Sequence, residues 1–201
     1  MSRKRGKLAV ILLWKVIFTI FWHKRGVFWN MIYKQKLLRM VDYMWKKVKP
    51  YVISILIALA VGGFASFLTR NSMDIYKEIE LPPLAPPSIL FPIVWSILYV
   101  LMGIGAAMIY LRKDEAPNAV RDALSVYGIN LVLNFMWSII FFKFRAFLLA
   151  FVWLISLLAV IIKMIFDFKK IKPIAGYLQI PYAVWVTFAG YLNFAIWWLN
   201  R

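Results

Sequence analysis

The sequence predicts an all-α integral membrane protein, built as a bundle of five transmembrane helices. Hydrophobic residues make up 64% of the 201 residues and charged residues only 16%, against about 45–50% and 25% in soluble domains. The apolar residues form five charge-poor runs of at least 19 residues, and about 20 helical residues cross a hydrocarbon core of about 30 Å. A β-barrel would need shorter runs that alternate apolar and polar residues, whereas these runs are uniformly apolar.

The first 49 residues form a basic, aromatic extension ahead of these runs. They hold 13 of the 25 lysines and arginines and a single acid, Asp42. The apolar stretch Leu8–Trp22 resembles the core of a signal peptide, but Lys15 interrupts it. HKRG follows this stretch, where a cleavage site would need small residues, so a signal peptide is disfavoured. Two interpretations remain: an arm lying on anionic lipid headgroups, or a stretch upstream of a true start at Met44. The sequence thus predicts an extension, 1–49, and a membrane domain, 50–201.

The five runs predict the five spans. Lys163 is the one charge inside a run, and it lies near the end, where its ammonium group can extend to the headgroups. The predicted spans are Tyr51–Thr69, Ile89–Leu111, Ala123–Phe142, Ala146–Phe166 and Ala175–Leu199.

The connection before the second span is predicted to be stiff and extended. Its two proline pairs, Pro82–Pro83 and Pro86–Pro87, cannot lie inside a helix, because proline fixes φ and lacks a backbone N–H group. Each proline also favours extended geometry in the residue before it. A rigid loop therefore leads directly into a membrane helix.

The distribution of lysine and arginine predicts the orientation. From Lys46 onward, ten of these residues flank the ends of the spans on the side of the N-terminus and five flank the opposite ends. The positive-inside rule then predicts that the N-terminus is inside, and that the C-terminus and the proline loop are outside. The net charge of +17 is interpreted as a topology and lipid signal, because no nucleic-acid-binding motif accompanies it.

Three spans carry a stripe of aromatic, small and amide side chains. Spacings of three and four residues place each stripe on one helix face. Amides are costly against lipid, so the stripes should face the bundle interior. From the pattern alone, packing is the default interpretation for the tryptophans and hydrogen bonding between helices for the asparagines. The stripes are Trp95, Tyr99, Met102 and Ala106; Asn130, Asn134, Trp137 and Phe141; and Trp185, Ala189, Leu192, Asn193 and Ile196.

The sequence predicts no catalytic residue, no metal site and no obligatory cofactor. Cysteine is absent and His23 is the single histidine, which disfavours thiolate nucleophiles and Cys/His zinc sites. HExxH, GxSxG and Gly-rich phosphate-binding motifs are missing. No carboxylate lies within a span, so the charged relay typical of ion-coupled transporters is also missing.

Three stretches resemble one protein family. They are FPIVWSILYVLMGIGAA from Phe91, preceded by PPLAPP; LVLNFMWSIIFF from Leu131; and PYAVWVTFAGYLNFAIWWLN from Pro181. In this order they resemble the TspO/MBR family of translocator and tryptophan-rich sensory proteins. The resemblance extends from about Lys49 to the C-terminus. It therefore favours the later start at Met44.

This resemblance implies a protein of the bacterial cell membrane that binds porphyrins or similar flat hydrophobic ligands under the proline loop. The implied role is sensory, regulatory or ligand-handling; transport of small hydrophobic molecules and tryptophan-dependent porphyrin degradation are the alternatives. The lipid bilayer and the ligand are the expected partners, and a homodimer is left open. Trp95 and Trp185 match the family's porphyrin-facing tryptophans. Further pocket residues are implied at Asn134, Trp137, Leu149, Ala189 and Leu192, and Tyr99 shares the stripe of Trp95.

Overall fold

A computed structural model describes the backbone of residues 2–70 and 75–201 and the side chains of residues 34–70, 75 and 78–201. Over this part of the chain all regular structure is helical, with no strand. The helices are α1 (Ser2–Thr69), α2 (Ile75–Glu78), α3 (Leu90–Tyr110), α4 (Pro117–Ser138), α5 (Phe147–Ile171), α6 (Pro173–Tyr177) and α7 (Ile180–Leu199).

The predicted fold class is confirmed. Among the described residues, five helical segments are long and apolar enough to cross a membrane. They are Lys34–Thr69, Leu90–Tyr110, Pro117–Lys143, Phe147–Ile171 and Pro173–Leu199.

Several predicted helix boundaries were wrong. The helix predicted from Ala123 begins six residues earlier, at Pro117, because helical hydrogen bonding continues into the charged residues outside the hydrocarbon core. A π-helical turn, Ile139–Lys143, follows α4. The last span is broken at Leu178 and Gln179 into α6 and α7. Charge content locates the membrane core, but it does not show where backbone hydrogen bonding ends.

The chain divides into two compact units, Met1–Lys47 and Val48–Arg201. In the second unit α5 packs against α4, α6 and α7, and α3 packs against α4 and α6. The interior is apolar, and its most deeply buried large side chains include Met102, Ile109, Leu154, Leu157, Ile161, Met164, Phe168 and Tyr182.

Two glycines allow α1 and α3 to approach closely. A Cβ atom on Gly103 would lie 2.6 Å from the Ile55 Cα atom, and a Cβ atom on Gly62 would collide with the Tyr99 ring. At these two positions, only a residue without a side chain allows the helices to come this close. Gly63 differs, because no atom lies within 4 Å of the place where its Cβ atom would be.

The proline loop contains no helix between Ile79 and Ile89. The Ala85 N–H group donates to the Pro82 carbonyl oxygen at 3.1 Å, and Leu84 has a φ of 67°. These features define a tight turn of type II, which requires a positive φ at its third residue. An ion pair of 2.8 Å between Glu78 and Arg145 lies just before the loop.

Candidate ligand-binding site

A cavity of about 270 Å³ lies between α1, α3 and α4. Part of its wall is exposed, at Gly63 and Ser66 of α1 and at Pro92 and Ser96 of α3. The cavity therefore opens between α1 and α3, on the surface that faces lipid. The wall consists of Leu59, Gly62, Gly63, Ala65, Ser66, Thr69, Phe91, Pro92, Trp95, Ser96, Tyr99, Trp137, Ser138 and Phe142.

Trp95 is the centre of the aromatic wall. Its ring centroid lies 5.7 Å from that of Tyr99, 6.2 Å from that of Trp137 and 6.0 Å from that of Tyr182. Separations of about 4.5–7 Å are those at which aromatic pairs attract each other through their quadrupoles. Trp137 is fixed further, because its Nε1–H group donates to Asn193 Oδ1 at 3.2 Å. The wall is thus made of rings that hold one another in place.

A buried polar layer supports this wall from within the bundle. The Tyr99 hydroxyl donates to Asn134 Oδ1 at 3.0 Å, and Asn134 Nδ2 donates to the Tyr182 hydroxyl at 2.8 Å. Asn130 Nδ2 also donates to Tyr182, at 3.4 Å. Asn193 Nδ2 donates to the Phe147 carbonyl oxygen at 2.8 Å. The prediction that these asparagines point inward and bond across helices is confirmed.

A second, smaller cavity of about 50 Å³ lies next to the first. Phe91, Trp137 and Phe142 belong to the walls of both cavities. These three side chains form the partition between the two spaces. The other residues of the smaller cavity are Ser88, Phe141, Ala189, Leu192, Asn193 and Ile196.

The structure brings most of the sequence-predicted site residues together. Trp95, Tyr99 and Trp137 line the larger cavity, and Ala189 and Leu192 line the smaller one. Asn134 lies behind the wall, in the polar layer.

Two predicted residues lie apart from both cavities. Trp185 is half-buried and meets the partition residue Phe91 edge to face, with centroids 5.9 Å apart. Its Nε1–H group is buried and has no acceptor among the described residues. Leu149 is 54% exposed and lines neither cavity.

The α1 side of the cavity was missed by sequence reasoning. Leu59, Gly63, Ser66 and Thr69 belong to its wall, but α1 has no stripe that combines large aromatic and amide residues. Tyr182 was also missed, although its spacing could have identified it, because it precedes Trp185 by three residues and so continues the same helical stripe.

The proline loop is fastened to α7 by side-chain hydrogen bonds. Asn200 Oδ1 accepts from the Glu80 N–H group at 2.8 Å, and Asn200 Nδ2 donates to the Glu80 carbonyl oxygen at 3.0 Å. The Tyr191 hydroxyl donates to the Pro83 carbonyl oxygen at 2.8 Å. Since Ser88, near the end of the loop, lies on the wall of the smaller cavity, these bonds position one boundary of the site.

Comparison with known proteins identifies the family. The TspO/MBR family profile matches residues 54–199. The chain is 34% identical to tryptophan-rich protein TspO of Chlorobaculum tepidum, over 78% of this chain and 99% of that protein. It is 37% identical to the TspO protein of Archaeoglobus fulgidus, over 74% and 95% of the two chains. With the translocator protein of Bos taurus it shares 29% identity, over 71% and 85%. This integral membrane protein therefore belongs to the TspO/MBR family.

Proposed function

We propose that this protein binds a porphyrin or a similar flat hydrophobic molecule in the cavity between α1, α3 and α4, in a sensory or regulatory role. The observation that carries the proposal is the aromatic wall around Trp95, with Tyr99 and Trp137 on either side. A macrocycle with an extended π-system gains most from such rings. The names sensory protein and translocator protein, which relatives carry, are consistent with ligand handling.

The size of the site supports a ligand that spans both cavities. Sites for small molecules and cofactors usually enclose about 300–1,000 Å³, and the two cavities together reach the lower end of that range. A macrocycle would need the partition of Phe91, Trp137 and Phe142 to rearrange. Trp137 is held by Asn193, so Phe91 and Phe142, which are half-buried, are the side chains that we expect to move.

Trp185 supplies a polar contact in this proposal. A buried donor without an acceptor costs about 1–3 kcal/mol, and its Nε1–H group is such a donor among the described residues. A carboxylate or carbonyl oxygen at the edge of the ligand would accept this hydrogen bond once the neighbouring Phe91 ring moves aside.

The decisive test fills the cavity from α1. Gly63 belongs to the cavity wall, so a leucine there adds bulk at the site, whereas Gly128→Leu adds the same side chain on an exposed helix face outside both cavities; no atom lies within 4 Å of the Cβ position of either glycine. Purified protein is titrated with a porphyrin panel and a sterol while tryptophan fluorescence is followed. We expect Gly63→Leu to weaken porphyrin binding at least 10-fold and Gly128→Leu to leave it unchanged. Equal affinities in both variants would refute this site.

The same samples separate binding from degradation. Tryptophan-dependent breakdown would appear as a progressive loss of porphyrin absorbance in the light, dependent on Trp95 or Trp185. Binding alone gives a stable, saturable spectral change, which is the result that we expect.

The proposal also includes the orientation, with the N-terminus and the connection after α3 inside and the C-terminus outside. Its support is the excess of lysine and arginine on the predicted inner side. A reporter that is active only outside the cytoplasm should work when fused after Arg201 and fail between Arg112 and Arg121. The opposite pattern would reverse the orientation.

A further inference from the structure

We propose that the ligand enters the larger cavity from the bilayer, through a lateral portal between α1 and α3, and that it is an anionic amphiphile dissolved in the membrane. The portal consists of the exposed wall residues Gly63, Ser66, Pro92 and Ser96. It serves the binding site described above, so its role rests on the proposed function. The portal adds a route of entry and gives Arg70, at its edge, a part in recognition.

The two helices move apart towards the proline loop. A Cβ atom on Gly103 would lie 2.6 Å from the Ile55 Cα atom, so the two backbones touch at that level. Two helical turns nearer the loop, the Tyr99 ring occupies the place beside Gly62. Beside Gly63, no atom of another described segment lies within 4 Å of the Cβ position. The gap between the helices therefore widens until it becomes the portal.

Apolar side chains that face lipid surround this portal. Their exposed fractions are 49–56%, and in a membrane span such side chains lie against acyl chains. The Ser96 hydroxyl donates to the Pro92 carbonyl oxygen at 2.7 Å, so it is satisfied within its own helix and tolerates a hydrocarbon environment. The portal therefore opens to lipid. The flanking side chains are Phe64, Phe67, Ile93 and Ile97.

The portal lies at the depth where an amphiphile resides in a bilayer. Ser66 lies three residues before the end of α1, and Ser96 lies six residues after the start of α3. At 1.5 Å per residue, these positions are about 5 Å and 9 Å from the helix ends, within the outermost third of a hydrocarbon core of about 30 Å. A flat apolar ring system at this depth can keep a charged edge among the headgroups.

Arg70 places a positive charge at the edge of the portal. It is exposed and follows Ser66 by one helical turn. Its guanidinium carbon lies 4.6 Å from the ring centroid of Phe67, and this cation–π contact holds the charge beside the opening. A guanidinium group binds a carboxylate through paired hydrogen bonds. The portal therefore favours a ligand whose apolar rings carry a carboxylate at their edge.

The proline loop holds the outer edge of this portal. Hydrogen bonds from Asn200 and Tyr191 fasten the loop to α7. Phe91 and Pro92, in the first turn of α3, follow the loop directly and belong to the wall of the cavity. The loop therefore influences entry and release by fixing the start of α3, while the ligand itself passes between the helices.

The experiment closes the portal reversibly in the full-length chain, which contains no cysteine. Phe67→Cys and Ile93→Cys flank the portal and line neither cavity, and the antiparallel register of α1 and α3 places them at the same level. A bis-maleimide linker with a disulfide in its spacer joins the two thiols and is cleaved by reduction. In stopped-flow measurements with protoporphyrin in vesicles, we expect the linker to slow association and dissociation by about fivefold or more. The dissociation constant should stay the same, because a closed passage slows both directions equally, and cleavage should restore both rates.

A second tether provides the matched control. Phe151→Cys with Phe194→Cys joins α5 and α7 outside both cavities, where the two rings are 5.1 Å apart, and it should leave both rates unchanged. Normal affinity with unchanged rates in the Phe67→Cys, Ile93→Cys tether overturns the portal and leaves the proposed function standing. A lower affinity with an unchanged association rate also overturns the portal. If the untethered protein shows no saturable porphyrin binding, the proposed function fails as well.

A comparison of an acid with its ester tests the role of Arg70. Arg70→Gln should slow the association of protoporphyrin about 3- to 10-fold and leave the association of its dimethyl ester, which has no carboxylate, unchanged. Arg121→Gln removes an exposed arginine at the opposite end of the bundle and should change neither rate. An equal loss for acid and ester, or no loss for the acid, overturns the role of Arg70 and the anionic class of ligand.

Discussion

The two ends of the helix bundle are packed in different ways. At the end that includes Ile109, Ile161 and Phe168, side chains fill the interior and these three residues are fully buried. At the end next to the proline loop, Trp95 and Phe142 are only half-buried and two cavities remain. One end is therefore a closed core, and the other contains space for a ligand.

This difference follows from side-chain shape. Aliphatic side chains and methionine interdigitate to nearly crystalline density, whereas rigid, planar indole and phenol rings cannot fill an irregular space from every side. The hydrogen-bonded layer of Tyr99, Asn134 and Tyr182 lies at the boundary between the two ends. The comparison teaches that the closed core can hold the helices in position, while the aromatic end keeps space for a ligand and side chains that can move to admit it.

Replacement of a phenylalanine by alanine should distinguish the packing of the two ends most clearly, because the loss of stability should differ between them. Phe168→Ala at the closed end should cost about 3–5 kcal/mol of stability, because it leaves a cavity among fully packed neighbours. Phe142→Ala at the open end should cost about 1–2 kcal/mol, because part of that ring already lacks contacts. Unfolding titrations in sodium dodecyl sulfate measure both values. Equal losses would mean that the two ends are packed alike.

The polar layer between the ends should show the next largest effect. Asn134→Leu keeps the size of the side chain but leaves the buried Tyr99 hydroxyl without an acceptor, at a cost of about 1–3 kcal/mol. As a control, Thr187→Val removes an exposed hydroxyl that bonds only to the Ala183 carbonyl oxygen and should change stability by less than about 0.5 kcal/mol. If the two variants have the same free energy of unfolding, the polar layer does not stabilise the bundle.

At the open end, affinity rather than stability should respond to the tryptophans. Trp95→Phe loses aromatic area on the cavity wall and should weaken porphyrin binding by about 0.5–1.5 kcal/mol, or about 2- to 12-fold. Trp185→Phe should weaken binding by a similar factor, because it removes the Nε1–H donor that we propose to contact the ligand.

Trp198→Phe is the control for this pair. Trp198 packs under the Arg201 guanidinium, 3.4 Å from its ring centroid, and lies outside both cavities, so affinity should not change. Fluorescence titration of the folded variants with porphyrin measures these affinities. Wild-type affinity in the Trp95→Phe, Trp185→Phe double mutant would make these tryptophans packing residues only.

The smallest effect is expected at the loop. Tyr191→Phe removes the hydrogen bond to the Pro83 carbonyl oxygen. At this exposed position, the free energy that holds the loop against α7 should fall by about 0.5–1 kcal/mol. We expect the porphyrin dissociation rate to rise about 2- to 5-fold in stopped-flow measurements. Tyr177→Phe, at an exposed tyrosine of α6, should leave the rate unaltered. A rate that does not depend on Tyr191 would show that the loop does not control release.

The sequence by itself determined the membrane helices and the inward-facing residues. Both depend on local quantities, which are the length of an apolar run and the 3.6-residue period of a helix. Asn130, Asn134 and Asn193 were predicted to face inward because an amide in lipid lacks partners, and all three are buried. The burial of Trp137 and Ala189 followed from the same periodicity.

Only the tertiary structure decided where the cavity lies. Gly62 and Gly63 are adjacent in the sequence, yet the first packs under the Tyr99 ring and the second faces open space. Which of them faces α3 depends on the rotation of α1 in the bundle, and that rotation is set by contacts between distant segments, such as the Phe64 and Phe135 rings at 5.7 Å. A cavity is the space that several helices leave between them, so no single stretch of sequence encodes it.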